Sequence, residues 1–442
     1  MLSKVRVLLA SAEASLGRLD RASLVVAALA LGTLAQGSLT WSTTLAAGTL
    51  VGIAGLYVLS SLCKRHRIAR RSDRLTIIFL LLLLVGGMLI LTTSQIGGAI
   101  PLYAIAVVLF VSGLGREEKE SASKSEAYTR REIVLLVLII ALGFALQGYR
   151  VALIPPGFHG DEAESGLQAL KLLHGEVPSL ISVGWYHLPM MSFAWHAVSM
   201  RIFGETIYGL RMSSVIVGSL TLIPFYFLVR LLFDKKIALV AAFLLAVSHP
   251  FIALSRLGIN YTQTTLFEVT AFYFLFRGLR TRKWWDFVLS GLFVGTGLYL
   301  YYASRLVPLI VAGFLVYAAI TRRGFVRTHW QGVVILSCAA IVIFAPMAAY
   351  FVRNPWHFMS RTNHVFVLAE QGWVDAPYPR SNAVSTLLGQ AARVLPLFNY
   401  GGDMSGQYGY RGPMLDFFTS ILFVLGLGYS TVHIDRPRHF FL

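Results

Sequence analysis

Three carboxylates stand together where an apolar run ends, in Ile154-Pro155-Pro156-Gly157-Phe158-His159-Gly160-Asp161-Glu162-Ala163-Glu164. A carboxylate just outside a bilayer can take a proton from a hydroxyl or amine and so act as a general base. A second carboxylate beside it can orient the first or tune its pKa. Asp161 is the candidate base here and Glu162 its partner, with Glu164 and His159 adjacent. A purely structural role fits the same residues. Asp is among the best helix N-caps, and Glu162 and Glu164 suit the positive end of a helix dipole. The two roles are compatible. The prolines and glycines stop one helix and turn the chain. Ala163, Leu167, Leu170 and Leu173 then recur at helical spacing until Gly175. That spacing predicts a short amphipathic helix over 162–174, lying in the membrane interface with Asp161 at its start.

The elements that must position these groups are set by composition. The chain has 442 residues, of which 56% are hydrophobic and 13% charged. A soluble domain carries about 25% charged residues. Half that charge excludes disorder, a coiled coil and most soluble folds, and points to a polytopic membrane protein. Apolar stretches at 23–41, 43–62, 75–93, 96–114, 133–153, 207–232, 237–254, 263–279, 284–302, 304–320, 331–350 and 414–432 predict about twelve transmembrane helices, an all-α fold. Two long segments, 154–206 and 351–413, interrupt the pattern and contain aromatic and aliphatic residues throughout, so both are expected to fold as external loops with juxtamembrane helices.

The formal net charge of +17 is explained by topology. With the N-terminus cytoplasmic, the cytoplasmic segments hold 27 of the 38 Lys and Arg residues, Lys64-Arg65-His66-Arg67 among them. The basic residues are spread over short loops, so nucleic acid is not an expected partner. Cys63 and Cys338 lie apart and suggest neither a bridge nor a metal site. No His/Cys/Asp cluster has metal-ligand spacing, although His159, Asp161 and Glu164 could meet a divalent metal in space. No cleavable signal peptide is expected, because residues 1–20 lack a continuous apolar core, and the first span would serve as the insertion signal.

The run from Pro155 to Ala163, leaving a span into a juxtamembrane helix, resembles the GT-C glycosyltransferases, in the branch of protein O-mannosyltransferases and lipid A aminoarabinose transferases. The resemblance continues in order through Tyr186-His187-Leu188-Pro189, then Phe203-Gly204, then Leu210-Arg211-Met212-Ser213-Ser214 with Gly218. It extends through Ala241 to Arg256, Tyr350-Phe351-Val352-Arg353-Asn354-Pro355 with Arg361, and Gly412-Pro413-Met414-Leu415-Asp416. It covers about 133–432, so the expected division is a set of extra N-terminal helices over 1–131 and a glycosyltransferase module over 132–442. Each motif alone is weak; their order and spacing carry the resemblance. The sequence departs from the pattern where many relatives carry an Asp after the Ser-Arg pair, since Asn260 and Gln263 stand there. It also ends at His439-Phe440-Phe441-Leu442, where relatives usually continue, which suggests a fragment or a short member.

The resemblance implies transfer of a sugar from a polyprenyl-phosphate carrier to a protein, lipid or glycan acceptor on the external face, with inversion at the anomeric carbon. Such a displacement needs a base on the acceptor and a cation near the leaving phosphate. The resemblance makes Asp161 the base, and Arg211 is the first candidate cation. Arg211 would fork two phosphate oxygens or, on the alternative reading, snorkel to the interface. Arg256, Arg361 and His364 face the same expected side. Tyr408 belongs to a Gly- and Tyr-rich stretch that suits either a sugar-binding lid or an interfacial aromatic belt. The expected site is therefore in the plasma membrane, facing outward. A lipid-linked sugar flippase or transporter is the alternative from another class, and an oligosaccharide ligase is the closer rival. A transporter is disfavoured because only Glu268 lies well inside a span.

Overall fold

The computed structural model describes residues 21–40, 46, 49–50, 53, 96–114, 127–365, 368, 383–402 and 412–441. In chain order its helices are α1 (Arg21–Thr40), α2 (Ile96–Leu114), α3 (Arg130–Gly148), α4 (Gly160–Leu173), α5 (Ala194–Phe203) and α6 (Ile207–Leu232). There follow α7 (Lys235–Ala246), α8 (His249–Ser255), α9 (Tyr261–Thr281), α10 (Trp284–Gly297) and α11 (Leu306–Thr321). The last five are α12 (Phe325–Arg353), α13 (Pro355–Val365), α14 (Ala383–Val394), α15 (Phe417–Val432) and α16 (Pro437–Phe441). Among the described residues the only β feature is an isolated bridge between Val183 and Pro189. The all-helical expectation holds, as it must where apolar segments have to satisfy their own backbone groups.

Among the described residues, four segments are long and apolar enough to cross a membrane: Arg130–Gly148, Ile207–Leu232, Tyr302–Thr321 and Phe325–Arg353. Lys235–Ala246 and His249–Ser255 make a fifth if this pair, bent by 58°, is one broken span. These are fewer than the twelve expected. The stretch 75–93 and most of 43–62 lie outside the described residues, while α10, expected to run over 284–302, stops at Gly297 and gives way to a turn.

The chain forms two compact units, residues 1–126 with 393–442, and residues 127–392. In the first, α1, α2 and α15 bury Leu34, Ala106 and Leu425 against one another. A buried polar knot runs through them: Tyr103 donates to Gln36 at 2.5 Å, and Gln36 donates to the Asn399 carbonyl at 2.8 Å. Asp416 caps α15 by accepting from Phe418 and Thr419 N–H groups, both at 3.0 Å. The second unit contains the acidic run. There α3 opens with a capping box, Thr129 accepting from the Glu132 N–H and Glu132 reaching back to the Thr129 N–H. The Glu132 carboxylate also pairs with Arg230 at 2.6 Å, which ties the start of α3 to the end of α6.

Candidate active site

The acidic run begins α4, but His159 rather than Asp161 is the N-cap. Its Nδ1 accepts from the Asp161 N–H at 3.1 Å. The helix therefore starts at Gly160, earlier than the spacing predicted, and Asp161 sits in its first turn. An N-cap role for the Asp161 side chain is thereby excluded, which leaves its carboxylate outside the helix's own hydrogen bonding. The side chain is 27% exposed, and its Oδ1 lies 3.8 Å from His159 Nδ1.

The buried face of α4 also differs from the amphipathic stripe. Glu162, Ser165, Gly166 and Ala169 face inward, whereas Leu167 is 52% exposed. The inward face is polar because it meets Arg211 on α6. Nε and Nη2 of Arg211 donate to Oε1 and Oε2 of Glu162, both at 2.9 Å. Nη1 donates to the carbonyls of Val151 (3.0 Å) and Pro155 (2.9 Å), and Nη2 to that of Gly157 (2.8 Å). All five guanidinium hydrogens are spent inside the protein, and Arg211 is 1% exposed. The arginine expected to hold phosphate instead gathers the chain between α3 and α4. The backbone N–H of Gly258 adds a 2.8 Å bond to Glu162 Oε1. Glycine is required there, since a Cβ would lie 2.5 Å from Leu210 Cγ.

Arg256 has a similar place. Its Nη1 donates to the Leu146 carbonyl at 2.7 Å, its Nε to that of Ile154 at 3.1 Å, and its Nη2 to that of Tyr149. It thus satisfies carbonyls at the C-terminal end of α3. Burial, and then the charge of Arg211, hold its pKa below the ordinary arginine value.

Below this fork lies His196 of α5, fully buried between Ser213 (2.5 Å from Nδ1) and Asn260 (2.7 Å from Nε2). Burial lowers its pKa to about 4, with smaller opposing effects from Asn260, Leu210 and the Glu162 charge. The ring is therefore neutral at pH 7, and the Ser213 hydroxyl beside it donates to the Leu210 carbonyl at 2.7 Å. Asn260 and Gln263 are 1% and 0% exposed and belong to this buried cluster.

The half-exposed side of the site is aromatic. Tyr261, first residue of α9, packs edge-on against Tyr301 with ring centroids 5.1 Å apart and hydrogen-bonds it. Burial, then Tyr301 and the charge of Asp161, hold the Tyr261 phenol above its ordinary pKa, while Arg361 opposes the shift. The phenol therefore lies in the fields of both Asp161 and Arg361. Arg361, on α13, sits 5.1 Å from the Tyr186 ring centroid. Arg305 anchors α13 by donating to the Phe358 carbonyl at 2.8 Å and to Thr362 at 3.2 Å. His187 and His357 stack at 4.6 Å, and burial followed by His357 keeps His187 below its ordinary pKa.

Of the expected site residues, Asp161 and Arg361 share this aromatic setting, while Glu162, Arg211 and Arg256 form the buried support behind it. Glu164 is half-buried farther along α4, and His364 lies on α13. Tyr408 falls outside the described residues. No three His, Cys, Asp or Glu side chains among the described residues are arranged to hold a metal, His159, Asp161 and Glu164 included. Tyr186, Tyr261, Tyr301 and Tyr302 were not singled out as site residues from sequence. Tyr186 stands only within the Tyr186-His187-Leu188-Pro189 segment, and the local signal for Tyr301 and Tyr302 is the aromatic run Tyr299-Leu300-Tyr301-Tyr302 at the end of an apolar stretch.

Residues 187–350 match the family model for dolichyl-phosphate-mannose-protein mannosyltransferases. The match is consistent with the GT-C superfamily of membrane glycosyltransferases and supports an enzyme that uses a polyprenyl-phosphate sugar. It takes in Arg211, His196, Tyr261 and Tyr301, and ends on either side before Asp161 and Arg361. Neither the search of curated proteins nor that of solved structures returned a match.

Proposed function

We propose that the chain is an inverting glycosyltransferase of the plasma membrane, with its N-terminus cytoplasmic. It moves a sugar from a polyprenyl-phosphate donor to a protein, lipid or glycan acceptor on the external face. Asp161 is the general base in this reading. The supporting observation is the contrast between neighbours: Glu162 is consumed by the Arg211 fork, while Asp161 stays half-exposed beside Tyr261, whose phenol also feels Arg361.

In the reaction, the Asp161 carboxylate takes the proton from the acceptor hydroxyl. The acceptor oxygen attacks the anomeric carbon from the side opposite the phosphate. The bond between that carbon and the phosphate oxygen breaks, and the electron pair leaves on polyprenyl phosphate. Arg361 and the Tyr261 phenol offset the charge developing on the leaving group. Arg211 and Arg256 act as positioning residues, holding the turn that presents Asp161.

The test is transfer from polyprenyl-phosphate mannose to an acceptor mixture in reconstituted vesicles. Asp161→Asn should lower the rate by roughly 100-fold or more, the usual scale for a general base. Its melting temperature in detergent should match that of the unaltered protein. Full activity in this variant would remove Asp161 from the chemistry.

A further inference from the structure

Two loops far apart in sequence come together at one end of the second unit. One joins α9 to α10 and carries Arg282 and Lys283, with Arg280 in the last turn of α9; the other joins α11 to α12 and carries Arg322 and Arg323, with Arg327 in the first turn of α12. All six side chains are exposed. The loops are neighbours because α10 packs on α12: Gly332 of α12 lies so close to the Phe287 ring that a Cβ would meet it at 2.5 Å. The positive charges of Arg282 and Arg322 consequently bear on one half-buried ring, that of His329. The only carboxylate in the stretches 277–286 and 321–330 is Asp286, which is fully buried and held by Arg277 and Thr281, both at 2.8 Å.

Three indoles border these cations. Trp284 and Trp285 stack with centroids 3.8 Å apart and are still 52% and 58% exposed, and Trp330 is 54% exposed. The segments Tyr302–Thr321 and Phe325–Arg353, both long and apolar enough to span a bilayer, meet at the second loop, so that loop stands at headgroup depth. Exposed Trp is favoured at that depth. The backbone adds an independent observation. Arg282 closes α9 with φ 59°, in the left-handed region, where Gly or Asn is the usual C-cap neighbour. The second loop fills its own left-handed position with Gly324 (φ 80°). Arg282 thus occupies a position whose backbone favours Gly or Asn.

We propose that this surface, centred on Arg282, Arg322 and His329 and bordered by Trp284, Trp285 and Trp330, binds the phosphate headgroup of an anionic phospholipid. The guanidinium groups fork the phosphate oxygens, and the indoles lie along the glycerol and upper acyl region. The placement of the indoles at the ends of apolar helices favours a lipid over a nucleic acid, whose bases would stack on aromatic planes lying along a basic groove. This site is separate from the Asp161 region and does not depend on the transferase reading.

The experiment is native mass spectrometry of the full chain in detergent, titrated with phosphatidylglycerol and with phosphatidylcholine of the same acyl chains. Phosphatidylglycerol should be retained in preference. Each basic residue near an anionic lipid surface contributes about fivefold, so Arg282→Gly combined with Arg322→Gln should reduce phosphatidylglycerol retention by about 25-fold and leave phosphatidylcholine unchanged. Arg282→Gly alone relieves the left-handed backbone, so it should lower retention while the melting temperature holds or rises. Soluble glycerol phosphate should not displace the lipid. Equal retention of both lipids, an unchanged preference in the double variant, displacement by glycerol phosphate at matched concentration, or tighter binding of a single-stranded oligonucleotide would each overturn the proposal.

Discussion

Arg211 and Arg282 use the same side chain in opposite ways. Around Glu162, charge is scarce and fully committed: Arg211 donates five hydrogen bonds within the protein and is 1% exposed. Along 277–286 and 321–330, charge is dense and exposed, and the one acid in those stretches, Asp286, is buried. The first region uses a guanidinium to fix backbone, because five donors in a plane can tie three carbonyls and a carboxylate at once. The second presents guanidiniums outward. A basic residue's number in the sequence does not say which use it has; the carbonyls around it do.

The comparison is broken most severely by removing the fork. Leaving a buried charge without its partner costs about 3–5 kcal/mol. Arg211→Ala and Glu162→Gln should therefore each lower the melting temperature sharply in detergent, with transfer lost alongside. Arg211→Lys should fail to rescue, since an ammonium cannot satisfy both carboxylate oxygens and three carbonyls. A variant that melts normally but has a raised donor KM would restore the phosphate role for Arg211.

The next largest effect is on pH. His196 has a folded pKa of about 4, below the ordinary histidine value of about 6.5. Between those values the unfolded chain binds more protons than the folded one, so stability falls as pH drops from about 6.5 towards 4. The full loss is on the order of 3 kcal/mol. Melting curves across that range should show it, and His196→Gln should flatten the dependence.

Smaller effects separate the exposed side of the site from its support. Gly258→Ala should cost roughly 1–3 kcal/mol through overpacking against Leu210, and transfer should fall in proportion to stability. Arg361→Ala should leave the melting temperature unchanged and raise the donor KM by about tenfold, the scale of one exposed charge-assisted contact. If Arg361→Ala lowered the melting temperature and spared KM, Arg361 would join Arg211 and Arg256 as a structural arginine.

Much of this was legible from the chain alone. The helical class followed from apolar runs that cannot leave backbone groups unpaired in hydrocarbon, and the turn before α4 followed from its prolines and glycines. The acidic helix was found to within two residues at its start, but its cap was misassigned: His159 and Asp161 both have cap-competent atoms, and the choice rests on local geometry. The inward face of α4 was not legible for a different reason. Periodicity located the apolar stripe of an interfacial helix, but not that a buried arginine 49 residues away draws Glu162 inward.

Composition and order therefore determined that this is an apolar helical chain with an acidic turn between α3 and α4, because those properties depend on neighbours a few residues apart. Tertiary structure alone decided which carboxylate is spent and which stays half-exposed, which arginines bind backbone, and that Tyr261 lies in the fields of both Asp161 and Arg361. Each of those outcomes is a long-range pairing of donors with acceptors, and a hydrogen-bond partner tens of residues away leaves no local trace in the sequence.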